Sequence, residues 1–180
     1  MKKRTFLAAA LLLTAAFVLP TDADAKKART PLFHEGSRPP DFTLYADIAV
    51  DDEGGEQPQK VALRSFLGHK RIVLVFSPTM HFLNQIHGAE YNERDFVAFA
   101  ILVPDAHFNT VSAPPLYLLT DDRGTVSREY HALPGQPTFY LIGKDGTIKM
   151  ARHSFPTNKE LLQTIDAMPM RQQEMWERNR

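Results

Sequence analysis

Arg71-Ile-Val-Leu-Val-Phe76 is unbroken apolar sequence behind a single arginine, and it is rich in β-branched residues. That pattern suits a strand covered on both faces and not one with a wet side. Ser77-Pro78-Thr79 ends it. Met80 to Arg94 then reads as a helix, with Phe82, Leu83 and Ile86 at helical spacing and Thr79 as a suitable N-cap. Phe96 to Val103 repeats the buried-strand pattern. Two buried strands joined by a helix form a parallel β-α-β unit with a right-handed crossover. The chain is therefore expected to be α/β.

The rest extends this unit. Phe42, Leu44, Ile48 and Val50 lie in a strand-like stretch, and the acidic, Gly-bearing segment 51–59 reads as a surface loop. Val61 to Leu67 leads into a turn at Gly68. Asp105 to Pro115 reads as a loop, Leu116–Leu119 as a short apolar segment, and Thr120–Tyr130 as a turn into a short helix. Pro134-Gly-Gln-Pro-Thr138 breaks the chain before a hairpin, Phe139–Ile142 and Thr147–Met150, with Asp145-Gly146 at its turn. Lys159 to Met168 reads as a last helix with Leu161, Leu162 and Ile165 inward, interrupted by Pro169. No internal repeat is visible.

The ends set the expected compartment. Met1-Lys-Lys-Arg4, the apolar run Phe6–Leu19 and the exit Ala23-Asp-Ala25 have the parts of a secretory signal peptide, cleaved after Ala25. The run is short of the roughly 20 residues of a membrane span. We divide the chain into a signal peptide at 1–25, a linker at 26–40 ending in Pro39-Pro40, a domain at 41–170, and a charged, loosely held tail at 171–180. Removing Lys2, Lys3, Arg4, Asp22 and Asp24 from 21 basic and 21 acidic residues leaves 18 and 19. Such a balance gives no electrostatic reason to expect nucleic acid, or a membrane after signal cleavage, as partner. The chain has no cysteine. In an oxidising compartment it has neither a disulfide staple nor a redox thiol.

Several segments carry a family resemblance. Pro40-Asp-Phe-Thr-Leu44, Val61–Phe66 and Arg71–Phe76 resemble the opening of peroxiredoxins and related redoxins. Gln136-Pro137-Thr138-Phe139 with Lys144-Asp-Gly146 resembles the cis-proline strand and hairpin of thioredoxin-like proteins. Leu141-Ile-Gly-Lys-Asp-Gly146, Ile165-Asp-Ala-Met-Pro-Met-Arg171 and Gln173-Glu-Met175 resemble a thioredoxin-like domain of unknown function. That domain is found in bacterial exported proteins and, divergently, in vertebrate sushi-repeat secreted proteins. The resemblance covers roughly Leu63 to Met175. It implies a thioredoxin-like fold, a mixed central sheet flanked by helices, and no established activity.

In that fold the first β-α turn presents reactive groups at a helix start, where free N–H groups stabilise a thiolate. One alignment places His81 and Asn84 at the two cysteine positions, and another places Asn84 or Gln85 at the peroxidatic position. Neither supplies a thiol, and Gln136 stands near the place of the peroxiredoxin arginine. Thiol peroxidase and disulfide exchange are excluded for this chain. His81 reads either as a neutral base near a helix start or as a polar residue filling an old pocket. His87 and Glu90, three apart, offer two metal ligands or a solvated face, and two ligands do not make a site.

Two candidate surfaces remain. The first is a groove at the former active-site position, formed by Thr79, Met80, His81, Asn84, Gln85, Gln136 and Pro137. The second is an adaptable apolar face of Met168, Met170, Arg171, Met175 and Trp176, residues that otherwise cover the domain's own core. We expect an exported, non-catalytic binding domain with a protein or peptide partner and no cofactor. The alternatives are a cysteine-free enzyme or metal-binding protein built on His81 with a neighbouring acid or imidazole, and a purely structural envelope domain.

Overall fold

A computed structural model of the protein describes residues 32–50, 56–86, 89–102 and 115–180. The signal peptide, residues 26–31 of the linker, His87, His107 and the loop after Leu102 lie outside the described residues. Seven strands form one sheet: β1 Thr43–Val50, β2 Glu56–Ala62, β3 Arg71–Phe76, β4 Phe96–Leu102, β5 Leu116–Thr120, β6 Thr138–Ile142 and β7 Ile148–Arg152. Their order across the sheet is β2-β1-β5-β4-β3-β6-β7. The central strands β3, β4 and β5 are parallel, while β1, β2, β6 and β7 join antiparallel. Among the described residues there are five α-helices: α1 Met80–Gln85, α2 Ala89–Asn92, α3 Thr125–Glu129, α4 Asn158–Asp166 and α5 Pro169–Arg178.

The unbroken apolarity of β3 has the expected cause. Val73 and Val75 face one core with Phe82, Leu83 and Ile86 of α1 and with Leu161 and Ile165 of α4. Ile72, Leu74 and Phe76 face a second core with Phe42, Val126 and Tyr130. Each strand residue is fully or nearly fully enclosed, because the alternation of side chains across the sheet finds a layer on both sides.

Four expectations are corrected. The helix from Met80 to Arg94 is two short pieces: α1 ends with Ile86 as its C-cap, and α2 starts at Ala89. The loop at 51–59 begins β2 at Glu56, which pairs with Val50; an acidic, Pro-bearing segment is tolerated there because β2 is the sheet edge. The linker does not stay free to residue 40. Gly36 N–H donates to the Ile148 carbonyl and Ile148 N–H to that of Ser37, and Phe33 meets the rings of Tyr130, His131 and Tyr140 edge-on or tilted. The Tyr130 hydroxyl donates to the Pro40 carbonyl.

The fourth correction concerns the tail. Pro169 does not merely interrupt a helix; it takes the first turn of a new one, where its missing N–H costs nothing. This helix, α5, is docked by charge. Arg71, with its side chain 1% exposed, donates to Glu174 at 3.0 Å and to the Arg94 carbonyl at 2.7 Å. Lys144 at the β6–β7 turn donates to Glu174 and to Asp95, both at 2.7 Å. Arg171 donates to Asp166 and to the Glu93 carbonyl, and Arg94 makes a two-pronged contact with Asp166. A Glu and an Arg three residues apart on one face of α5 thus reach two oppositely charged partners in the body of the domain.

Burial alone would raise the Glu174 carboxyl, but hydrogen bonds from Arg71 and Lys144 outweigh it and hold it below the usual range. Asp166 behaves likewise through Arg94 and Arg171, and Asp95 through Lys144, Lys70 and Arg71. A carboxyl depressed in the folded state stabilises fully above its unfolded pKa of about 4, and that stability is lost as pH falls through the depressed values. We predict that urea stability is flat from neutral pH to mildly acidic pH and drops steeply below about pH 4. Glu174→Ala strands the enclosed Arg71 charge and lowers stability at pH 7 by about 3 kcal/mol, with a shallower acid limb. Phe33→Ala removes a half-buried ring and costs about 2 kcal/mol in the same denaturation series.

Candidate functional site

The first β-α turn lies at the carboxyl end of β3. Ser77 has φ 49°, a left-handed conformation that a side chain other than glycine rarely takes. It stands between the Phe76–Thr138 pairing of β3 with β6 and the fixed ring of Pro78. Thr79 N-caps α1, its hydroxyl accepting from Phe82 N–H at 3.3 Å and its carbonyl accepting from Leu83 N–H at 3.0 Å. The sharp bend followed by a capped start turns α1 back over the sheet, with Phe82 and Leu83 buried beneath it.

The groove residues come together as expected in part. Thr138 sits opposite Phe76, so Gln136 and Pro137, just ahead of it, border the Ser77–Thr79 turn. Both are half-buried, as is Gln85, while Thr79, His81 and Asn84 are exposed and Met80 is 38% exposed. Leu133, 41% exposed, lines a small cavity of about 20 Å³ together with Ser77. This is a shallow surface and not a deep pocket.

His81 stands open to solvent, and its ring Nε2 lies 2.8 Å from the Gln85 side-chain nitrogen. Gln85 is an amide and supplies neither the acid nor the imidazole that a catalytic base needs. Among the described residues, His81 has no hydrogen bond or ion pair to an acid or an imidazole. His87 lies outside the described residues; Glu90 accepts from the Asn158 side chain. Among the described residues no group of three or more His, Asp or Glu is placed to hold a metal ion.

The C-terminal surface divides. Met168, 7% exposed, belongs to the core beside Leu161 and Ile165, and Arg171, 3% exposed, is held in the charge network. Both leave the candidate surface, because the turn from α4 into α5 points them inward. Met170 at 45% and Trp176 at 57% are exposed, and Met175 is half-buried. The Trp176 ring carries the Arg180 guanidinium over its face at 4.0 Å.

Sequence reasoning missed the Arg71–Lys144–Glu174 cluster. Its signal was a lone cation ahead of a fully apolar strand, a position where burial demands a partner. It also missed Asp121, whose buried carboxylate accepts from the N–H groups of Thr125 and Ser127 at 2.9 and 2.8 Å and from the Ser127 hydroxyl at 2.8 Å. Asp121 lines a cavity of about 500 Å³ with Asp41, Tyr45, Asp122 and Glu129, but its oxygens are already spent on starting α3.

Residues 62–174 match the family described as Domain of unknown function (DUF4174). The chain belongs to this family. No curated protein matches it. The DUF4174 chain is similar in structure to the reduced 2-Cys peroxiredoxin of Plasmodium vivax, with a TM-score of 0.59 at 20% identity over 79% of this chain and 99% of that one. Mycobacterium tuberculosis AhpC gives 0.59 at 17% identity over 76% and 93%. A putative thioredoxin from Neisseria meningitidis gives 0.50 at 22% identity over 72% and 89%. At these identities the likeness establishes the thioredoxin-like fold alone.

The turn is built as structure even without a thiol. Thr79→Ala removes the N-cap acceptor, and we predict a loss of about 1 kcal/mol. His81→Ala changes stability by less than about 0.5 kcal/mol, since its side chain is exposed. Equilibrium unfolding of the two variants side by side checks the contrast.

Proposed function

We propose that this DUF4174 protein is an exported, non-catalytic binding module that receives an extended protein or peptide segment beside the first β-α turn. The observation that carries the reading is a preserved turn in a chain with no cysteine. A strained Ser77, a capped α1 and the Gln136-Pro137 border are all kept, with exposed apolar Met80 and Leu133 at the same end of the sheet. Strain of this kind costs of order 1–3 kcal/mol and persists where the surroundings over-determine it. Thiol chemistry by this chain cannot be its purpose. Export rests on the basic head, apolar run and small-x-small exit at 1–25. Among the described residues no helix is long and apolar enough to cross a membrane. Met170 and Trp176 give a second exposed apolar surface, on α5.

The test places a photocrosslinking amino acid at Met80, Gln136, Trp176 or Lys159 in cells making the full chain. The expected result is one discrete adduct from Met80 and Gln136, absent from Lys159, and abolished by Asn84→Arg or Pro137→Ala in a chain that still folds. An adduct from Trp176 alone moves the partner to α5. Equal labelling from every position, or none, overturns the binding reading.

A further inference from the structure

Phe76 and Ile101 pair near the carboxyl ends of β3 and β4. With Ser77, Ala132, Leu133 and Pro134 they line the cavity of about 20 Å³ beside the β-α turn.

The walls of this socket are braced. On one side α3 ends in a double hydrogen bond: Ala132 N–H donates to the Ser127 carbonyl at 2.8 Å and His131 N–H to that of Arg128 at 3.1 Å. The left-handed position in such an ending usually holds glycine, but here it holds His131 at φ 57°. Ala132 is buried and Leu133 stands out at the rim. A tight turn follows, in which Gln136 N–H donates to the Leu133 carbonyl at 3.0 Å across Pro134 and Gly135, the latter at φ 72°. On the other side is Ser77, itself left-handed. Among the described residues three other than glycine take a left-handed φ, and two of them, Ser77 and His131, hold the walls of this one socket. Strained backbone persists where its surroundings over-determine it, and it gathers at ligand clamps.

The chemistry of the lining is narrow. It carries no ionisable side chain, and the hydroxyl of Ser127 behind it is spent on the Asp121 carboxylate at 2.8 Å. A charged group entering here would lose its water and find no partner. A space of this size holds one water-sized group. A methyl fits, whereas a branched or aromatic side chain needs the braced walls to move. The amides of Asn84 and Gln136 nearby can donate to and accept from the backbone of any extended segment, so they do not discriminate between its side chains.

We propose, resting on the binding reading above, that this socket sets the specificity of the groove. The bound segment places an alanine side chain between Ser77 and Leu133, and larger or charged side chains are refused at that position. Ala132 and Leu133 are the residues that determine the choice.

Fluorescence anisotropy of the purified protein tests this with labelled peptides Gly-Ser-Thr-X-Thr-Ser-Gly, capped at both ends, in which X is glycine, alanine, leucine or lysine. Alanine is expected to bind about fourfold tighter than glycine, the worth of one buried methyl, and at least about tenfold tighter than leucine or lysine. Leu133→Ala lowers the rim and brings leucine to within about twofold of alanine, a gain that misfolding cannot produce. Ala132→Val fills the socket and removes the preference for alanine over glycine. A series flat in X, no binding by any of the peptides, or an unchanged preference in Leu133→Ala overturns the proposal. The Gln136 adduct in cells is read separately: its presence beside a flat series leaves the binding reading standing and the socket without a role, and its absence removes both.

Discussion

The guanidinium of Arg71 sits at the start of β3 with water excluded, and the lower end of the molecule is arranged around keeping it paired. An isolated cation in such a place is costly, so the partners must come from elements that arrive late in the chain. Glu174 comes from α5, and Lys144 from the β6–β7 turn shares the same carboxylate oxygen. Lys144 in turn holds Asp95, whose carbonyl accepts the backbone N–H of Arg71 itself. The first central strand, the last hairpin and the final helix are thereby fastened at one point. The contact between Arg71 and Glu174 spans 103 residues, so it forms only when the whole topology is in place.

This interaction also explains which parts of the fold were legible in the sequence. The β-α-β core, the Asp145-Gly146 hairpin and the helix behind Thr157 follow from local signals: continuous apolarity, a turn dipeptide whose glycine adopts φ 75°, and a capping threonine. Those signals are complete within a few residues. The docking of 171–180 was not legible, because a string of alternating charges looks the same on a solvated face and against buried opposite charges. Only the third dimension shows that Arg171 and Glu174 meet Asp166 and Arg71. The strap at 32–40 fails for a similar reason. Phe33 is a lone aromatic between Leu32 and His34, and its partners Tyr130 and Tyr140 lie about a hundred residues downstream.

At the β-α turn the chain offers no thiol but a well-defined backbone. Cysteine is absent throughout the chain, and the turn is shaped by the left-handed Ser77 and the capping Thr79, with Pro137 just ahead of the Thr138 that pairs with Phe76. Two physical needs account for part of that geometry. The sheet requires α1 to cover Val73 and Val75 with Phe82 and Leu83, and the capped start at Thr79 sets that packing. They do not account for Met80 and Leu133 being left open to water beside the turn. A fold preserved only for stability would gain by making those positions polar.

The two ends of the sheet therefore carry different kinds of order. The end bearing the β-α turn is shallow, weakly charged and lined by exposed side chains. The end bearing Arg71 is enclosed, strongly charged and tied by ion pairs that involve four separate elements. Any change in the pairing of Glu174 is felt at once by β3, by the β6–β7 turn and by α5. The Met-Pro-Met-Arg segment joins the core to the charge network: Met168 completes the core, Pro169 starts the helix, and Arg171 locks it to Asp166.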